Sequence, residues 1–454
     1  MKICIVDGYS TGVSLTRRLR DLGVNCIHVQ SEPRTNGFLQ RTFRPDDYSL
    51  DFGYTDDIPA LAGQLATLGI SRVIAGSESG VTLAETLAQQ LGLPTNTPAG
   101  RLARRDKALM YQTAERAGLD VPQGTTVSSP AAAAEWFTAS GLTEAVVKPL
   151  ASAATDGVRF CQTPEEIAHA TEAILAKPNI FGQRNAAVIV QERLSGDEYY
   201  INSVSSGGDH RFAEIWRYTK RASDGPMPLY DYEEPVAPHT AEAQLLKAYT
   251  CRVLDALGIQ ESAAHTEVML TARGPVLIET GARLGGATSP DIIDKYLGTS
   301  QTALLAAALV DPRTLLDFDD ELTSWPGRIR NVEFAPRPRR ASCGAPQTRM
   351  TPGAPPVCVG DSARHHETRE WIRTPPAHRR CSAGRRSLSP RAGGSLARPG
   401  ARARAEPLPG RHPAGRRHRA RRRSQGPCPR RPHPRRDRRE QQPRLHLHQG
   451  SRPG

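Results

Sequence analysis

The chain changes chemistry abruptly after Asn331-Val332-Glu333-Phe334, and this break bounds what can fold. From Arg337 to Gly454 there is no Lys, Asn, Phe or Tyr, and Arg, Pro, Gly, Ala and His dominate without hydrophobic periodicity. Such a segment cannot bury enough apolar surface to offset its ordering entropy, so a disordered tail over 337–454 is expected. The tail sets 30 Arg against 6 acidic residues, a formal +24, while residues 1–336 set 30 Lys and Arg against 41 acidic residues, −11. The overall +13 describes neither part. A nucleic-acid-binding tail would use arginines as phosphate counterions, but this one lacks the Phe and Tyr that stack bases. Cys358, His365, His366, His378 and Cys381 fit no familiar zinc spacing. A shifted reading frame in a GC-rich coding sequence yields this mixture, and we read the tail that way.

The acidic body begins with an apolar β-branched run, Lys2 to Val6, then Asp7-Gly8-Tyr9-Ser10-Thr11-Gly12 and a helical pattern to Leu22. Further strands are expected at Val24 to Val29 and Arg72 to Ala75, with a helix at Ile58 to Leu68 between them. Strands alternating with helices imply a Rossmann-like parallel α/β sheet over 1–100, its ligand-facing loops at the strands' carboxyl ends. The glycine loop lacks the G-x-G-x-x-G spacing, so it reads as a structural turn. Cys4, Cys26, Cys161 and Cys251 form no C-x-x-C pair and read as thiols of a reducing cytosol, which makes the expected location cytoplasmic. No apolar run approaches the roughly 20 residues that span a bilayer, so no membrane partner is expected.

Two later stretches carry chemistry. The strand Ala145 to Pro149 contains Lys148 and precedes Ser152-Ala153-Ala154-Thr155-Asp156-Gly157-Val158. Small residues let backbone amides approach a ligand, and a lysine just before such a loop is placed to meet phosphate. In His265 to Gly286, two apolar runs flank the turn Arg273-Gly274-Pro275, which predicts a hairpin with its second strand at Val276 to Ile278. Paired around that turn, Glu267 and Glu279 lie at the same end of the strands, close enough to share a divalent cation; hard carboxylate oxygens with phosphates and waters suit Mg²⁺. Arg283 follows, its fork able to grip a phosphoryl or carboxylate oxygen. The same charges on a surface hairpin would do nothing. Gly225 to Pro238 reads as a mobile loop, and Thr240 to Leu257 as an amphipathic helix.

Taken together, Lys107, Lys148 with its loop, Q-E-R-L-S-G-D-E-Y-Y at Gln191 to Tyr200, and H-T-E with I-E-T-G-A-R-L-G-G resemble the ATP-grasp ligases in identity, order and spacing over roughly residues 1–336. Within that superfamily the motifs look most like the L-amino-acid (dipeptide) ligases, with biotin-carboxylase-type enzymes next. The resemblance implies an α/β (α+β) chain: the N-terminal domain over 1–100, then an ATP-grasp fold of two α+β subdomains over 101–336, with a small lid at about 122–195. It implies that Lys107 and Lys148 contact the phosphates of ATP, with Ser152, Ala153, Ala154, Thr155, Asp156, Gly157 and Val158 as the lid loop over them. Glu192 and Leu194 would line the adenine pocket, and Glu198 would lie near the ribose. Glu267 and Glu279 would hold Mg²⁺ (or Mn²⁺), Arg283 would bind the transferred phosphoryl group, and His265 and Glu78 would contact substrate. One departure stands out: many ATP-grasp enzymes carry Asn two residues after the second metal-binding Glu, where this chain has Gly281.

The implied reaction joins a small-molecule carboxylate to an amine, L-amino acids or similar small molecules, through an acyl phosphate, which suits a site rich in lysine, arginine and carboxylate and without a nucleophile. A homodimer is compatible with it. Two alternatives remain open at this point: a biotin-carboxylase-like carboxylase, and a basic-tailed nucleic-acid-binding protein with a catalytically idle body.

Overall fold

The computed structural model describes residues 1–33, 37–152, 155–221, 229–286 and 288–321, together with the backbone of 329–332 and 370–373. Lys2–Val6 (β1), Asn25–Gln30 (β2), Leu50–Tyr54 (β3) and Arg72–Ala75 (β4) form a parallel sheet in the order β3-β2-β1-β4. The expected strands and the helix Ile58–Thr67 are present, and Leu50–Tyr54 is an addition. Helix starts follow side-chain chemistry: the carboxylate of Asp57 accepts the N–H of Ala60, and that of Asp106 accepts the N–H of Leu109 at the start of Lys107–Arg116. Gly12 is required by close approach, since a Cβ there would lie 2.5 Å from the carbonyl oxygen of Gly76.

Gly124–Val127 (β5), Ala145–Pro149 (β6), Arg159–Cys161 (β7) and Val188–Glu192 (β8) form an antiparallel sheet, β5-β8-β6-β7. The helices Pro130–Ser140 and Pro164–Leu175 supply Ala133, Phe137, Ile167, Ala170 and Ile174 to its separate core.

Gly196–Ser206 (β9), Asp209–Arg221 (β10), Leu229–Pro235 (β11), Ala263–Thr271 (β12), Gly274–Gly281 (β13), Ile329–Val332 (β14) and Glu370–Arg373 (β15) make a seven-stranded sheet, β13-β12-β9-β10-β11-β14-β15. Within the stretch expected to be a mobile loop, Leu229 to Pro235 is therefore a strand, held by the ladder to β10. Glu370–Arg373 of the tail pairs antiparallel with β14, a local departure from the expected disorder; the rest of 337–454 lies outside the described residues. Fully buried Trp216 stacks on Tyr200 at 6.1 Å and anchors the centre of this sheet.

The parallel sheet is tied to the rest through buried Arg104. Its Nε and Nη2 donate to the two oxygens of Glu85 at 2.7 and 2.6 Å, and its Nη1 donates to the carbonyl of Leu257 at 2.6 Å. This two-pronged geometry is what lets an ion pair survive desolvation. Cys4, Cys26 and Cys161 are free and buried, and burial pushes the Cys4 thiol up to about 12. Among the described residues no helix is long and apolar enough to cross a membrane.

Candidate active site

A cavity of about 810 Å³ opens between the two antiparallel sheets, lined by Lys107, Lys148, Ser152, Thr155, Asp156, Val158, Glu192, Leu194, Glu198, Glu267 and Glu279 among others. Sequence-distant residues meet here because β6, β9, β12, β13 and the first turn of Lys107–Arg116 all converge on it. Register places Glu267 directly opposite Glu279, with a bulge just beyond that leaves Ile278 without a partner. Ile278 and Glu279, adjacent in sequence, therefore both line the cavity. The second strand runs on to Gly281, three residues past its expected end.

Lys107 Nζ lies 2.8 Å from Oε2 of Glu279 and donates to the carbonyl of Ser152 at 3.3 Å. Lys148 is buried, and its Nζ donates to the hydroxyl of Tyr111 at 2.9 Å. Burial pulls the Lys148 ammonium below its ordinary range, against the opposing charges of Glu279, Glu267 and Glu198. In the loop after β6, Ser152 Oγ donates to Asp156 Oδ2 at 2.6 Å, and that oxygen also accepts the N–H of Ile180 at 2.8 Å. Gly157 is left-handed at φ 71°. Ala153 and Ala154 lie outside the described residues.

Burial alone would raise the Glu267 carboxyl. Neighbouring His265, with Lys220 and Arg283, reverses this and holds it below the ordinary range. His265 Nδ1 is 2.8 Å from Oδ1 of Asn202, and its Nε2 is 3.6 Å from Glu267 Oε1. Glu198 is pushed up by burial, although Lys220 Nζ donates to it at 2.6 Å. Glu192 reaches the cavity wall, but its carboxylate is engaged by Arg273 at 2.5 and 3.0 Å and by the N–H of Gln123 at 2.8 Å. Arg283 and Glu78 sit beside the cavity: Arg283 Nε donates to Glu78 Oε2 at 2.7 Å, and Arg105 Nη1 pairs with Glu78 Oε1. Burial would raise Glu78, but Arg105 and Arg283 bring it down to about 2.

Lys220, Tyr111 and Arg105 escaped the sequence reading. Lys220 was within reach of it, because Trp216, Tyr218 and Lys220 alternate along β10 on one face; Tyr111 and Arg105 carry no such local signal. The donor set fits a hard divalent cation, since two register-paired carboxylates beside two lysines match a metal completed by phosphates and water. Among the described residues no group of three or more His, Cys, Asp or Glu forms a self-sufficient metal cluster.

Residues 105–288 match the family described as phosphoribosylglycinamide synthetase, ATP-grasp (A) domain. Dapdiamide A synthase of Enterobacter agglomerans is 36% identical over 322 residues, covering 69% of this chain and 74% of that protein. The chain belongs to the ATP-grasp ligases. As a member of that family it is an ATP-dependent ligase of the carboxylate–amine type, and ATP-grasp enzymes use ATP and Mg²⁺. The ATP-grasp fold also relates it to L-amino acid ligase from Bacillus licheniformis, with TM-score 0.57 and 18% identity over 73% of this chain and 79% of that one. The biotin carboxylase domain of Hydrogenobacter thermophilus 2-oxoglutarate carboxylase gives TM-score 0.56 and 14% identity over 73% and 74%.

Proposed function

We propose that this ATP-grasp ligase joins L-amino acids or similar small molecules, activating a carboxylate as an acyl phosphate that an amine then attacks. The observation that carries the reading is the register pairing of Glu267 with Glu279 opposite Lys107, inside a cavity that also holds Lys148. The name of the 36% identical relative, a synthase of dapdiamide A, supports an amide product.

In this reading Lys107 and Lys148 grip the phosphates, and Ser152 to Val158 close over them. Leu194 and the wall around Glu192 receive the base, and Glu198 the ribose. Glu267 and Glu279 hold the cation, which when bound neutralises charge on the phosphate oxygens. Arg283 steadies the transferred phosphoryl group and His265 faces the substrate, while Glu78, expected to contact substrate, borders it through its pair with Arg283. The γ-phosphoryl passes to a carboxylate oxygen and ADP departs; the amine then forms a bond to the acyl carbon, phosphate leaves, and the nitrogen gives up a proton. Positioning and charge neutralisation carry such a transfer, which accords with a site without a nucleophile.

The divisions 1–100, 101–336 and a lid at about 122–195 accord with the three sheets and the separate core of the second. A cytoplasmic location accords with three free buried thiols. A homodimer remains part of the proposal, as does the absence of a specific nucleic-acid partner.

The test is phosphate release from MgATP by residues 1–454 against amino acids supplied singly and in pairs. Turnover that requires particular amino acids and yields ADP is expected. Turnover that requires bicarbonate instead, or none with any amino acid, rejects the reading.

A further inference from the structure

Three half-buried charges beside the cavity form a cluster whose mutual pairing the reaction as described leaves without a reason. Glu78, on the loop after β4, reaches across to a different part of the fold and bridges Arg105 and Arg283; the three side chains are 16%, 15% and 13% exposed. Arg283 also donates through Nη1 to the carbonyl of Leu284 at 2.8 Å, and Arg105 lies over the ring of Phe181 at 5.2 Å. Gly281 explains how Glu78 gets there. A Cβ at position 281 would lie 2.7 Å from Glu78 Oε2 and 3.4 Å from Arg283 Nε, so the carboxylate fills the space that any side chain at 281 would take. Gly281 is not left-handed, so backbone conformation does not demand glycine here; the neighbouring carboxylate does.

We infer that Glu78 is a positioning residue that substitutes, from another part of the fold, for the side chain missing at Gly281, locking Arg283 and Arg105 in the orientation the phosphoryl transfer needs. The inference rests on the proposed role of Arg283. Two half-buried guanidiniums with no anion between them repel each other and lose the ion pair that each makes with Glu78, which is costly. Space and charge are separable demands: Gly281 supplies the space and Glu78 the charge.

The experiment is a double-substitution cycle in the full chain, read by initial rates at varied ATP and by thermal melting. Glu78→Ala is expected to lower kcat about 10²-fold while the KM for ATP stays within about threefold, the pattern of a lost transition-state contact. Gly281→Ala in the native background is expected to lower kcat at least about tenfold and to lower Tm, and in the Glu78→Ala background to change kcat less than about twofold. Glu78→Gln keeps the volume without the charge, so it is expected to lose kcat yet stay sensitive to Gly281→Ala. Additive effects on Tm and kcat, or a native kcat in Glu78→Gln, overturn the inference. Lack of amino-acid-dependent turnover in the unsubstituted chain instead rejects the ligase reading, and the melting cycle then decides the Glu78–Gly281 coupling alone.

Discussion

Lys107 Nζ stands 2.8 Å from Oε2 of Glu279, so a lysine assigned to phosphate and a carboxylate assigned to a cation are direct neighbours. Replacing Lys107 by Met removes a charged hydrogen bond of about 1.5–3 kcal/mol. The KM for ATP is expected to rise about tenfold or more in initial-rate measurements. An unchanged KM would take Lys107 away from the phosphates.

The facing carboxylates make a separate prediction. Glu267→Gln and Glu279→Gln each keep shape while removing an anionic ligand, so the Mg²⁺ concentration for half-maximal turnover is expected to climb at least about tenfold. Chelation should stop turnover in the native protein, with recovery on adding Mg²⁺. A Mg²⁺ titration that overlays the native curve in either variant counts against these ligands.

Glu214 is buried beneath the site, with Asn202 Nδ2 donating to it at 2.9 Å, and burial pushes its carboxyl up to about 8. A folded-state value above the unfolded one means stability is greatest below pH about 4.5 and is lost as pH rises through about 8. The full interval corresponds to something on the order of 5 kcal/mol. Denaturant melts of native protein and Glu214→Gln from pH 5 to 9 should diverge, the native midpoint falling with pH and the variant staying flatter. Parallel pH trends would refute the assignment.

Arg104→Met should destabilise by about 3–5 kcal/mol, because Glu85 is left buried and charged with its fork partner gone. Adding Glu85→Leu should restore part of that loss. Chemical denaturation of the two variants checks both, and a double substitution worse than the single would show that the pair itself, not the orphaned carboxylate, holds the parallel sheet in place.

The site was legible where chemistry and local pattern coincide. Lys148 at the end of an apolar run, and Glu267 and Glu279 across a Gly-Pro turn, are readable because strand period and turn chemistry fix where they point. Leu50–Tyr54 was missed because its residues are half exposed and a glycine interrupts them, which blurs the alternation of an edge strand. The strand at Leu229 to Pro235 reads as loop because its Asp and Glu obey the pairing of β10 rather than an apolar rule. The engagement of Glu192 by Arg273, and the meeting of Glu78 with Gly281, join residues about 80 and 200 positions apart, and no local period carries such contacts.

The unpaired Ile278 gives the cavity wall an abrupt change of character. In a regular strand, neighbouring side chains part to opposite faces, and an apolar contact and an anion on the same wall must be two residues apart. Here the extra residue sets them side by side, so the wall turns from oily to charged within a single peptide unit. A molecule with a flat apolar end and a polyanionic end would find both demands met along one strand, and deleting Ile278 would leave the carboxylates facing each other while stripping that boundary away.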